Sequence, residues 1–241
     1  EAEVDADVVE QLSRAIDETP QMMAQLNSAA EERRRARARS GDSVVDDLLG
    51  RVVDKLEGLD DFRATAREEF VALLTEVLRF AADRADIGRQ SGGPVVDYLF
   101  PAAAGESFTE AFLQLDVYSW LCSSGFRPHV RMEERDVAAG RADVTVQRVE
   151  HRLVIEVKRE QTNASHISLV DSYGPQTVGY AVVGPALSIS LVLDLTDHSH
   201  GVPSLKDSVW VDAVPIEGGS PRHVVTVVIR GNRPTPRMIL R

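Results

Sequence analysis

Two hydrophobic periods divide this sequence, and the division leaves few architectures open. Over residues 1–90 apolar side chains recur at helical spacing. Val4, Val8, Leu12 and Ile16 outline a first helix. Thr19-Pro20 reads as an N-cap followed by proline at a first helical position, opening a second helix through Met22, Met23 and Leu26. Ser40-Gly41-Asp42 ends it. VVDDLLGRVVDKL (44–56) predicts a third helix. Residues 61–85, with Phe62, Phe70, Leu73, Leu74, Val77, Leu78 and Ala81, predict a fourth. IGRQSGGP (87–94) breaks the pattern.

From about residue 106 the texture changes. ESFTEAFLQLDVYSWLCSSG (106–125) predicts a helix stopped by Gly125. PHVRMEER (128–135) alternates like a strand. GRADVTVQRVEHRLVIEVKRE (140–160) predicts a hairpin turning near Arg148–His151. Residues 164–182 look helical with an interruption at Gly174-Pro175. ALSISLVLDL (186–195) is a β-branched buried strand, and VWVDAVPI (209–216) and RHVVTVVIRG (222–231) are further strands. The order α, β, β, β, α, β with added strands predicts an α/β domain over 106–241. An all-α region over 1–90, suited to docking, regulation or oligomerisation, precedes it, with 91–105 as linker.

Composition narrows the chemistry. No apolar run is long enough to span a membrane, and no secretory signal opens the chain. The single cysteine, Cys122, excludes an internal disulfide framework and reads as a small buried side chain. A reducing, cytoplasmic setting without membrane partners is expected. The first residue is Glu1, so the chain reads as a processed or excised piece of something longer. Net charge is −11, which argues against indiscriminate nucleic-acid binding. The charge is uneven: residues 1–100 carry −9 and residues 101–241 carry −2. After Glu217 come Arg222, Arg230, Arg233, Arg237 and Arg241 without an acid. The run EERRRARARS (31–40) reads as a solvated helical face rather than a phosphate grip.

Lysine is scarce. Lys55, Lys158 and Lys206 stand against 24 arginines, so a lysine at a particular position carries information. Strand alternation puts Leu153, Ile155 and Val157 on one face of the hairpin, and Val154, Glu156 and Lys158 on the other. Asp143, on the neighbouring strand, can approach Glu156. Two carboxylates at close range repel, and one pKa rises unless a cation lies between them. Oxygen ligands of this kind suit Mg²⁺ or Mn²⁺ rather than zinc. Taken alone, an E-x-K pair is more often a weak surface ion pair.

GRAD (140–143) followed by IEVK (155–158) resembles the PD-(D/E)xK nuclease superfamily, with Ala142 in place of the proline. The resemblance implies a restriction-endonuclease-like fold: a central mixed sheet flanked by helices. It implies Asp143 and Glu156 as ligands of Mg²⁺ (or Mn²⁺), with the Val157 carbonyl as a further ligand, and Lys158 as partner of the attacking water. It implies a helix acid, for which Glu110 is the choice and Glu106, one turn earlier, the alternative. Gln176 and Tyr180 in QTVGY match the Q-x-x-x-Y of RecB-like members, on one helix face. Together with Arg141 and Arg159 they are the expected nucleic-acid contacts. The implied activity is metal-dependent hydrolysis of DNA, an endonuclease effector in restriction, defence against foreign DNA or repair. Another protein, a missing N-terminal segment or a second copy would serve as partner. The competing reading keeps the fold as a catalytically silent nucleic-acid-binding or assembly module.

Three other features carry less. Asp194, Asp197, His198 and His200 in DLTDHSHG read as a polar strand end, with metal binding as the functional alternative. His166 is a candidate substrate contact. Ser188 and Ser190 lie in a buried strand without a nucleophile-elbow setting.

Overall fold

The computed structural model of the 241-residue chain describes residues 40–102, 107–137, 140–180 and 184–234, without the side chains of 90–91, 133–137 and 140–141. The helices expected over 1–39, the arginine run up to Arg39, Glu106 and the side chain of Arg141 lie outside the described residues.

Helix α1 (Ser43–Leu56) starts where Asp42 accepts hydrogen bonds from the backbone amides of Val44 and Val45, satisfying two of the first-turn donors. Val45, Leu48, Leu49, Val52 and Leu56 form its buried stripe. Helix α2 (Ala64–Asp86) buries Phe70, Leu73, Leu74, Val77, Leu78 and Ala81, as its period predicts. Helix α3 (Glu110–Leu121) runs into a wide turn that Gly125 closes with φ +87°, a left-handed conformation suited to glycine. Cys122, at its C-cap, is only half-buried.

The strands are β1 (Val130–Val137), β2 (Gly140–Gln147), β3 (Arg152–Glu160), β4 (Leu187–Asp194), β5 (Val209–Val214) and β6 (Arg222–Arg230). They form one six-stranded mixed sheet in the order β1-β2-β3-β4-β6-β5. β1, β2 and β3 are an antiparallel meander; β4 and β6 run parallel to β3, and β5 is antiparallel to β6. Helix α4 (His166–Gly179) connects the parallel strands β3 and β4, the crossover that parallel pairing requires. The turn into it is held by Glu160, whose Oε1 accepts from the amides of Gln161, Thr162 and Asn163.

All eight residues of β4 are buried, which fits a central strand covered on both faces. On one face α4 lays Leu169 against Val192 and Val228, and Val178 against Val214 and Val224. The other face carries Leu153, Ile155 and Val157 and is covered by α2 and α3. The architecture is therefore a mixed sheet between helical layers.

Two expectations change. Gly174-Pro175 does not interrupt α4, which continues through Gly179. A Cβ on Gly174 would stand 3.1 Å from Val214 Cγ2, so glycine permits the close approach of the helix to β5. The segment expected as linker is also built into the core. Arg89–Gly92 forms one helical turn and Gly93–Leu99 a 3₁₀ helix that buries Val96, Tyr98 and Leu99. Tyr98 donates to Asp116 Oδ2 at 2.7 Å, and Arg84 holds the same carboxylate through two bonds of 2.7 and 2.8 Å. The Arg84 guanidinium lies over the rings of Phe80 and Trp120. The described residues from Ser40 onward thus form one compact unit, with α1 and α2 part of it. The local Gly/Ser signal for a loop is overridden by the aromatic and aliphatic side chains that follow it.

Candidate active site

The regular pairing of β2 with β3 runs from Gln147↔Arg152 to Val144↔Ile155. One position further, Asp143 faces Glu156, and there the ladder gives way to a side-chain bond. The backbone amide of Val157 donates to Asp143 Oδ2 at 2.8 Å. The Asp143 carbonyl accepts from Gln114 Nε2 at 3.0 Å. Gln114 lies on α3 and is buried, so the first acid is positioned from two elements.

Glu156 is 1% exposed. Its Oε1 accepts from Lys158 Nζ at 2.6 Å and from Gln176 Nε2 at 2.9 Å. Strand alternation brings Lys158 to the same face, and α4 brings Gln176 down onto it. Glu156 Oε2 is buried without a hydrogen-bond partner. Burial pushes the Glu156 carboxyl up to about 7; the charge of Asp143 adds to the rise, and the Lys158 hydrogen bond opposes it. A buried carboxylate with one oxygen unsatisfied, facing a second acid, has the donor chemistry of a hard divalent cation site, and the residues present fit Mg²⁺ or Mn²⁺.

The expected residues fall into three groups. Asp143, Glu156, Lys158 and Gln176 come together, and the backbone of Val157 is part of the same knot. Glu110 is the exposed first residue of α3; among the described residues no three His, Cys, Asp or Glu side chains cluster closely enough to hold a metal, so Glu110 does not join the two acids. Gln114, one turn along the same helix face, makes the contact to the Asp143 strand. Tyr180 and Arg159 are engaged in packing. Tyr180 sits against Ala142 and Val154, and Arg159 Nη1 donates to the Phe108 carbonyl at 2.8 Å, holding the approach to α3. Arg141 lies on β2 opposite Arg135.

Outside this knot several polar candidates have partners of their own. Asp194 is fully buried between Thr196, Arg230 and His198, whose Nε2 lies 3.1 Å from Asp194 Oδ2. Although burial works the other way, these three partners hold its carboxyl well below the usual carboxylate range. Asp197 caps the amide of Ser199. His166 stacks on Trp210 and bonds Asp212 at 2.8 Å, fixing the start of α4 to β5.

No family model, curated protein or solved structure matches the chain. The functional reading therefore rests on the residues and their geometry. Gln114 is the residue that sequence reasoning missed. The only hint was its place four residues after Glu110, on a helix whose acid drew the attention.

Proposed function

We propose that the chain is a metal-dependent DNA nuclease of the PD-(D/E)xK type, with a restriction-endonuclease-like core built from α3, β1–β3, α4 and β4. The observation that carries this reading is the convergence of Asp143, Glu156 and Lys158, from the middle of two paired strands, with Gln176 of α4. An ordinary exposed E-x-K pair would leave Glu156 in solvent; here it is buried beside a second acid.

Asp143 and Glu156, with the Val157 carbonyl, would hold Mg²⁺ or Mn²⁺. When bound, such an ion supplies a water of lowered pKa and a clamp on a phosphate oxygen. The chain's own residues do the rest. Val157 N–H fixes the rotamer of Asp143, and Gln176 fixes that of Glu156. Lys158 holds the attacking water and balances charge developing on phosphorus. The water oxygen bonds to phosphorus as the bond to the 3′ oxygen breaks, leaving a 5′-phosphate and a 3′-hydroxyl. By the resemblance, Arg141 would contact the phosphate backbone.

Supercoiled circular and linear DNA incubated with Mg²⁺, and in parallel with EDTA, tests the reading. Nicking or linearisation of the circle with Mg²⁺ alone identifies an endonuclease. Cleavage by Asp143→Ala and Lys158→Ala proteins at the parent rate would falsify it. Salt-sensitive binding without cleavage in Mg²⁺ or Mn²⁺ would favour the silent binding module instead.

A further inference from the structure

Glu156 on β3 is paired in register with Ser190 on the parallel strand β4. The two side chains therefore leave the sheet on the same face, with their strands about 4.8 Å apart. Ser190 is 3% exposed, and its Oγ is buried without a hydrogen-bond partner. Glu156 Oε2 is in the same condition. With Glu156 ionised, Ser190 Oγ carries a proton to donate and Oε2 is an acceptor. Leaving both unsatisfied is costly, because buried polar groups in folded proteins are nearly always paired. On its far side Ser190 meets Thr226 of β6, a neutral hydroxyl.

We propose that Ser190 is a positioning residue for Glu156, its hydroxyl donating to Oε2 directly or through one buried water. Lys158 and Gln176 fix one oxygen of the carboxylate, and Ser190 fixes the other. A carboxylate oxygen has two acceptor positions, so this bond leaves Oε2 able to take a cation. The proposal deepens the nuclease reading, and only its metal-affinity measurement rests on that reading.

Ser188 supplies the control. It lies two residues earlier on the same face of β4, is equally buried and equally unpartnered, but stands in register with Val224 rather than beside an acid. Three measurements compare Ser190→Ala with Ser188→Ala at pH 8, where Glu156 is ionised. In metal-free protein, Ser190→Ala lowers Tm by about 2–4 °C, the shift expected when one hydrogen bond is lost from a chain of this size, while Ser188→Ala leaves it unchanged or raises it. The ¹³Cδ resonance of Glu156 moves in Ser190→Ala and not in Ser188→Ala. Calorimetric titration with MgCl₂ gives affinity weakened about tenfold in Ser190→Ala alone, as for partners that orient a ligand. In the parent, the Ser190 hydroxyl proton exchanges slowly with water and shows a contact to the Glu156 side chain. Equal behaviour of the two variants in Tm and carbon shift overturns the proposal. A parent that binds no Mg²⁺ defeats the nuclease reading, and the first two measurements still decide the role of Ser190.

Discussion

The amide of Val157 donates to the carboxylate of Asp143 across the β2–β3 hairpin, at the point where regular strand pairing ends. The bond makes the acid part of the backbone ladder. Asp143→Asn keeps an acceptor and removes the charge, whereas Asp143→Ala leaves the amide without its partner. Thermal unfolding should therefore show Asp143→Ala destabilised by about 1–3 kcal/mol and Asp143→Asn by clearly less. Both variants should lose DNA cleavage by at least about a hundredfold, because neither supplies the anionic oxygen.

Glu156 gives a pH dependence with a defined sign. Its carboxyl is raised from 4.5 to about 7, so between those values the folded chain holds a proton that the unfolded chain has released. Its contribution to stability is then full below about 4.5 and declines as pH rises to 7, by at most about 1.4 kcal/mol per pH unit. Urea denaturation of parent and Glu156→Gln at pH 5, 6, 7 and 8 isolates it: the difference between the two should change across this window and level off above it. Mg²⁺ must displace the same proton, so its affinity should rise by roughly tenfold per pH unit below 7 and then flatten.

Gln176 and Lys158 share one oxygen of Glu156 but should separate in assay. Lys158→Ala removes the cation and should reduce cleavage by about two orders of magnitude or more. Gln176→Ala removes only an orienting bond and should cost about tenfold, with Mg²⁺ affinity weakened in step. Equal losses in single-turnover cleavage would show that Gln176 has a part in the reaction itself.

Asp116 accepts from Arg84 and Tyr98 in the core and lies apart from the acid pair. Asp116→Ala leaves the buried Arg84 guanidinium with only the exposed Asp83 carboxylate and the Tyr98 hydroxyl without its acceptor, and should cost about 3 kcal/mol. At a temperature where the variant remains folded, its Mg²⁺ affinity should match that of the parent. A selective loss of metal binding would join this network to the site.

Asp194 predicts acid sensitivity. Its carboxyl is held well below its ordinary value by His198, Thr196 and Arg230, so its contribution is present above about 4 and fades as pH falls further. The gap in stability between parent and Asp194→Asn should narrow between pH 4 and pH 2, read by circular dichroism.

The hairpin was legible because its cues are local. Two alternating runs, a polar turn and an E-x-K in a lysine-poor chain lie within twenty-one residues. The succession of strands and helices along the chain followed from period and from β-branched runs, whereas the order of strands in the sheet did not. The sequence hid what depends on a second element arriving in space. Nothing in EAFLQL says that Gln114 rather than Glu110 reaches the Asp143 strand, since both occupy one helix face and only the packing of α3 chooses. Tyr180 shares the Q-x-x-x-Y spacing with Gln176, yet α4 ends at Gly179 and the ring turns into the cluster of Ala142 and Val154. SGGP has the composition of a linker, and its fate is decided by Tyr98, four residues on, which finds Asp116.

The triangle of Arg84, Asp116 and Tyr98 bears on how a chain like this can change by recombination. Its corners come from α2, from the 3₁₀ turn and from α3. A crossover that joined residues 106–241 to an unrelated leader would strand a buried carboxylate and strip the cover from one face of the sheet. The helices over 43–86 thus belong to the same folded unit as the acid pair, and a cut that leaves that unit whole has to fall upstream of Ser40.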